Sequence, residues 1–93
     1  MNKYELLFIV SSSVNEEQRE EIIKKITSLI ETKEGVIEGI DKLGMKKFAY
    51  AINFKTEGFY VLINFSAKPE VINELNNAMN ITDNIVRQMF VKK

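Results

Sequence analysis

The sequence predicts an α+β fold in which a four-stranded antiparallel sheet carries two helices on one face, and three observations lead there. Apolar residues recur at helical spacing in two separate stretches, Ile22, Ile23, Ile26, Leu29 and Ile30 in one and Val71, Ile72, Leu75 and Met79 in the other. Short β-rich runs flank and separate those stretches, at 6–10, 36–43, 48–53, 59–65 and 85–91. A chain of 93 residues with no linker, internal repeat or low-complexity stretch has room for one modest core, so residues 1–93 are read as a single domain.

The apolar run at 6–10, preceded by the alternating Tyr4 and Glu5, reads as the first strand. The serines at 11–13 break that pattern. Asn15 then offers an N-cap, Gln18 a capping-box partner, and Glu16 and Glu17 acids that favour the positive end of a helix dipole. The first helix leaves Arg19, Glu20, Lys24, Lys25 and Glu31 for water, and Gly35 is expected to stop it. Residues 36–43 and 48–53 form one long strand bent by a bulge at Gly44. Residues 55–58 are expected to make a hairpin loop, and 59–65 to return as the most apolar strand. Pro69 suits the first turn of a second helix that ends near Asn80, and a strand at 85–91 closes the chain. Strand, helix, strand, strand, helix, strand is the split βαβ, or ferredoxin-like, order.

Composition excludes several kinds of chemistry. The apolar fraction of 45%, with three Tyr and six Phe, is that of a chain that folds. There is no cysteine for a disulfide or a thiolate, and no histidine to serve as a base or metal ligand near neutral pH. No apolar run approaches the roughly 18 residues of a membrane span, and the start Met1, Asn2, Lys3, Tyr4, Glu5 does not resemble a signal peptide. A cytoplasmic protein is expected, with no membrane partner, no cofactor and no small-molecule substrate.

Thirteen basic and thirteen acidic residues cancel, yet they are unevenly placed. From Lys42 to Lys55 all four charges are positive (Lys42, Lys46, Lys47, Lys55), and after Asp83 the side-chain charges are Arg87, Lys92 and Lys93. The acids gather at Glu16, Glu17, Glu20 and Glu21.

A charge or amide beneath a helix is costly to bury, so Glu5, Asn64 and Arg87 are expected to point away from the helices. Alternation then turns Leu6, Phe8, Val10, Phe59, Val61, Ile63, Phe65, Val86 and Phe90 inward. Leu7, Ile9, Tyr60, Leu62, Met89 and Val91 are left on the face without helices, a semi-apolar surface of the kind that receives a partner. Central strands that are simply apolar on both sides would give the same pattern, and alternation does not say whether a partner is protein or RNA.

Lys46 and Lys47 follow Gly44 at the strand bend, while Arg87, Lys92 and Lys93 end the chain. Cations so placed can neutralise phosphates, and Tyr4 or Tyr50 could stack or hydrogen-bond beside them; a solvated edge that discourages aggregation is the plainer account. An RNA recognition motif shares the element order, but the third strand puts Glu57 where its signature has a cation and Tyr60 where it has a small residue. The carboxylate pairs Glu16/Glu20 and Glu17/Glu21 sit on a polar helix face, where solvation explains them without metal or acid-base chemistry. Ser11, Ser12 and Ser13 have no histidine to activate them, and no glycine-rich phosphate loop is present, so no catalytic or metal-ligating residue is assigned. A small metabolite-binding domain that dimerises through its open sheet is the alternative from another class. An acyl-phosphate hydrolase on this fold would need an arginine and glycine cradle that the first loop lacks.

Leu43, Gly44, Met45, Lys46, Lys47, Phe48, Ala49, Tyr50, Ala51 and Ile52 together resemble the central signature of the bacterial small-subunit ribosomal protein six family. Tyr4-Glu5, the stretch from Tyr60 through Pro69 to Leu75, and the ending Asp83, Asn84, Ile85, Val86, Arg87 are similar to it as well. The resemblance implies a ferredoxin-like, non-catalytic ribosomal protein that binds the central domain of small-subunit rRNA and pairs with small-subunit ribosomal protein eighteen. By position it implies RNA contacts at Lys46, Lys47 and Arg87, with Lys3, Tyr4 and Lys92 behind them. The lysine pair stands where the family often has arginine, so point charges replace planar forks. Ala51 stands where the family usually has proline, and the sequence stops at Lys93 without the tail some members carry.

Overall fold

The computed structural model describes residues 2–52, 55–82 and 84–93, with the backbone alone at 48–52, 55 and 56. The elements run β1 (Asn2–Ser11), α1 (Glu16–Thr32), β2 (Val36–Ile52), β3 (Lys55–Ala67), α2 (Pro69–Asn80) and β4 (Ile85–Lys92). The strands form one antiparallel sheet in the order β2-β3-β1-β4, the ferredoxin-like topology expected from the element order.

Local chemistry explains the helix ends. Asn15 caps α1: the Gln18 backbone N–H donates to Asn15 Oδ1 at 2.8 Å, and the Asn15 N–H donates to Gln18 Oε1 at 3.3 Å. Two otherwise unpaired donors are thereby satisfied. At the other end the stop differs from the expectation. Glu34, with φ 66°, takes the left-handed position, its N–H donating to the Glu31 carbonyl while Gly35 N–H donates to that of Ile30. This is the paired-bond Schellman termination, built on a glutamate. Gly35 serves packing instead, because a Cβ there would stand 2.7 Å from Ile30 Cγ2 and 2.9 Å from the Ile30 carbonyl oxygen. Pro69 occupies the first turn of α2, where its missing N–H has no partner to lose.

The core lies between the helices and one sheet face. Leu6, Phe8 and Val10 of β1 and Val61, Ile63 and Phe65 of β3 meet Ile23, Ile26 and Ile30 of α1 and Val71, Leu75 and Met79 of α2. Alternation placed most of this set correctly. The exception is Val86: a register shift between Ile9 and Val10 sets Ile85 opposite Val10, and Ile85 joins Phe90 against the core in its place. Arg19, expected in water, lays its guanidinium over the Phe59 ring at 3.9 Å.

β2 carries the expected bulge between Lys42 and Gly44, with Gly44 at φ 94°, and a second between Ile37 and Gly39. The hairpin loop expected at 55–58 belongs to β3, which begins at Lys55 opposite Ile52; the two residues between them lie outside those described. Because β1 pairs with β3 only as far as Ser11 and Gly58, the β2–β3 ribbon runs on past the rest of the sheet from Lys47 and Glu57.

Candidate nucleic-acid interface

Residues directly opposite one another in antiparallel strands share a face, so the registers lay out the side of the sheet that carries no helix in rows. Gly44, Tyr60, Ile9 and Arg87 form one row. Asp41, Leu62, Leu7 and Met89 form the next, followed by Gly39, Asn64, Glu5 and Val91. Lys46 and Gly58 lie one step beyond the first row, toward the hairpin; Ser66 and Lys3 lie one step beyond the last.

All six residues expected on the open face are therefore on it. Ile9 is buried, Leu7, Tyr60 and Leu62 are half-buried, and Met89 and Val91 are 51% and 46% exposed. They form a contiguous apolar centre across β3, β1 and β4.

The candidate cations separate. Lys46 and Arg87 lie on the open face near the hairpin end, three strand spacings or about 14 Å apart across the sheet. Both are exposed, and neither has an ion-pair partner among the described residues. Lys47, paired with Glu57, and Lys92, paired with Tyr4, belong to the helix-bearing side. Neighbouring residues on a strand face opposite ways, so the lysine pair presents one charge on each side of the ribbon. Lys3 is on the open face but at the far end, with its ammonium 3.9 Å from Glu38.

Tyr4 does not belong to an exposed surface. It is 7% exposed, its ring 5.8 Å from that of Phe65 and its hydroxyl accepting from Asn2 Nδ2 at 3.3 Å. The alternation that turns Leu6 and Phe8 inward turns Tyr4 inward too. Tyr50 and Ala51 lie outside the residues whose side chains are described.

The opposite end of the face carries carboxylates and an amide beside Lys3 and Lys93, a feature the expected site did not include. Glu5 and Asn64 sit side by side on β1 and β3, with Asp41 one row away. Lys93 Nζ bridges the pair, 3.1 Å from Glu5 Oε1 and 2.8 Å from Asn64 Oδ1. The helix side has its own ion pair, in which Lys42 of β2 reaches Glu20 of α1. No group of three or more potential metal ligands occurs among the described residues.

The model of the family described as Ribosomal protein S6 matches residues 3–92. The chain belongs to that family. It is 42% identical over 92 residues to "Small ribosomal subunit protein bS6" of Alkaliphilus oremlandii, covering 99% of this chain and 97% of the relative. With the protein of the same description from Clostridium novyi it shares 45% identity over 91 residues, covering 98% and 96%. The crystal structure of 30S ribosomal protein S6 from Thermotoga maritima superposes with a TM-score of 0.95 at 33% identity, covering 99% of this chain and 87% of that one. This S6-family chain is thus a structural protein of the bacterial small ribosomal subunit with a ferredoxin-like fold.

Proposed function

We propose that this S6-family chain acts without catalysis, as one RNA-binding domain spanning residues 1–93, to hold the central domain of small-subunit rRNA together with ribosomal protein eighteen. The observation that carries the reading is the division of the open face. Two cations without ion-pair partners among the described residues stand at the hairpin end, carboxylates and an amide engaged by Lys93 and Lys3 stand at the other, and an apolar centre lies between them. Phosphates are drawn to the unpaired cations of the first end, whereas at the second end Lys93 and Lys3 are already engaged by Glu5 and Glu38, so RNA takes the hairpin end and a basic protein takes the apolar centre with its carboxylate-bearing border. Lys46 and Arg87 make the main phosphate contacts. Lys47, on the other side of the ribbon, and Lys92 contribute less, and Lys3, beside Glu38, least.

So few cations give modest affinity alone; a basic partner beside them adds charge and area to one composite surface. The test is a titration of central-domain rRNA with this protein across a salt series, with and without ribosomal protein eighteen, for wild type, Lys46→Ala and Arg87→Ala. Binding is expected to be cooperative with the partner. Each substitution should flatten the slope of log K against log salt by about one unit. Absence of RNA binding in both settings, with self-association of the free chain, would return the metabolite-binding dimer.

A further inference from the structure

Glu5 and Asn64 present two acceptors side by side on the open face, and the only described cation between them comes from the same chain. We propose that they form a socket for a cationic side chain of the basic protein partner, with arginine best suited, and that Lys93 fills the socket in the free chain and gives it up on docking. The inference rests on the reading that the open face receives a basic protein.

Position makes the first case. Val91 completes the row on β4, and Leu7 and Leu62 occupy the next row, so a partner that covers the apolar centre also covers Glu5. A carboxylate taken out of water without a cation is strongly disfavoured, and Asp41 adds a second negative charge to the same face. Covering this face therefore requires positive charge at the Glu5 end.

Lys93 supplies that charge only loosely. Its side chain is 46% exposed, and its ammonium sits on a flexible four-carbon stem. The backbone is held separately, Lys93 N–H donating to the Lys3 carbonyl at 2.9 Å, so the side chain can swing away while the strand end stays in place. A planar guanidinium offers two parallel donors to acceptors on adjacent strands and so fits the Glu5–Asn64 pair better than an ammonium. Beside Asn64, Gly39 leaves room for it: a Cβ there would meet nothing within 4 Å.

The experiment is calorimetric titration of the full chain with ribosomal protein eighteen, comparing wild type, Lys93→Met, Glu5→Gln and the double variant. Lys93→Met removes the internal competitor and should tighten binding roughly 1.5- to 5-fold, the range of a partly exposed ion pair. Glu5→Gln leaves the incoming cation poorly paired and should weaken binding on the order of tenfold or more. In the Glu5→Gln background the gain from Lys93→Met should shrink markedly, because the contested carboxylate is gone and only the weaker neutral acceptor Asn64 is left to contest. Binding that weakens or stays the same on Lys93→Met, or a Lys93 effect that persists undiminished without Glu5, overturns the socket while leaving the docking face intact. No binding by the wild type overturns the docking reading itself, and the socket with it.

Discussion

The two faces of the sheet are cut from the same strands yet use their apolar residues differently. On the helix side Leu6, Phe8, Val10, Val61, Ile63 and Phe65 are all 0% exposed. On the open side Leu7, Tyr60 and Leu62 keep part of their surface in water, and Met89 and Val91 keep about half. Hydropathy alone would rate these sets alike, since Phe8 and Leu7 are neighbours in one run. The difference is what lies above each face. The helix-side residues contribute to folding through burial that is already complete, whereas the open-side residues other than the buried Ile9 hold apolar area in reserve for a partner.

The sharpest test of that contrast pairs one residue from each face. Phe8→Ala empties a fully buried site and should cost about 3–5 kcal/mol, a large part of the 5–15 kcal/mol that holds a small domain folded. Its urea midpoint should collapse. Leu62→Ala, on the half-exposed side, should cost roughly 1 kcal/mol or less of stability and be felt mainly as weaker binding of ribosomal protein eighteen. Equal losses of stability from both would mean that the open face contributes to folding as strongly as the core does.

The same contrast explains what could be read from the sequence. A side chain that must be dry announces itself by period, so the helices and the inward set on β1 and β3 were legible, while the exposed Asn15–Gln18 cap and Pro69 at the start of α2 were legible from residue type alone. Alternation failed where the backbone broke its own period: the shift between Ile9 and Val10 exchanged Val86 for Ile85, and nothing in the residues of β4 signals it. Elsewhere the signal was present and outweighed. Alternation already puts Tyr4 in the core and Lys46 and Lys47 on opposite sides, but aromatic and basic residues near a strand end invite a nucleic-acid reading that ignores which way they face. The Glu5–Asn64–Lys93 bridge joins residues far apart in sequence, and only the register of β1 with β3, and the lie of the chain after β4, bring them together.

A substitution confined to the helix side should move stability without touching the open face, and Gly35→Ala is the next largest of this kind. The added methyl would meet Ile30 Cγ2 at 2.7 Å, the Ile30 carbonyl at 2.9 Å and the Ser66 carbonyl at 3.1 Å. Ile30 is fully buried and two of the three contacts are backbone, so the strain has little outlet. A loss of about 1–3 kcal/mol in chemical denaturation is expected. Partner affinity measured well below the unfolding transition should be unchanged; a matching loss of affinity would show that the α1–β2 junction shapes the open face.

The smallest expected effect is a gain, one residue earlier. Glu34 holds φ 66°, a conformation that costs a residue with a Cβ about 1–2 kcal/mol and costs glycine almost nothing. Glu34→Gly removes that strain but gives the unfolded chain more freedom, and it deletes a carboxylate whose ion pair with Lys68 Nζ, at 3.9 Å, is largely exposed. Because such a pair contributes little, the relief of strain should prevail, raising stability by about 0.5–1 kcal/mol in urea unfolding. Both termination bonds use the backbone N–H groups of residues 34 and 35, so glycine keeps the Schellman geometry intact. Should the variant instead be less stable, the Glu34 side chain would have to hold the junction through more than its contact with Lys68, and the helix side would owe its order at this corner to charge as well as to burial.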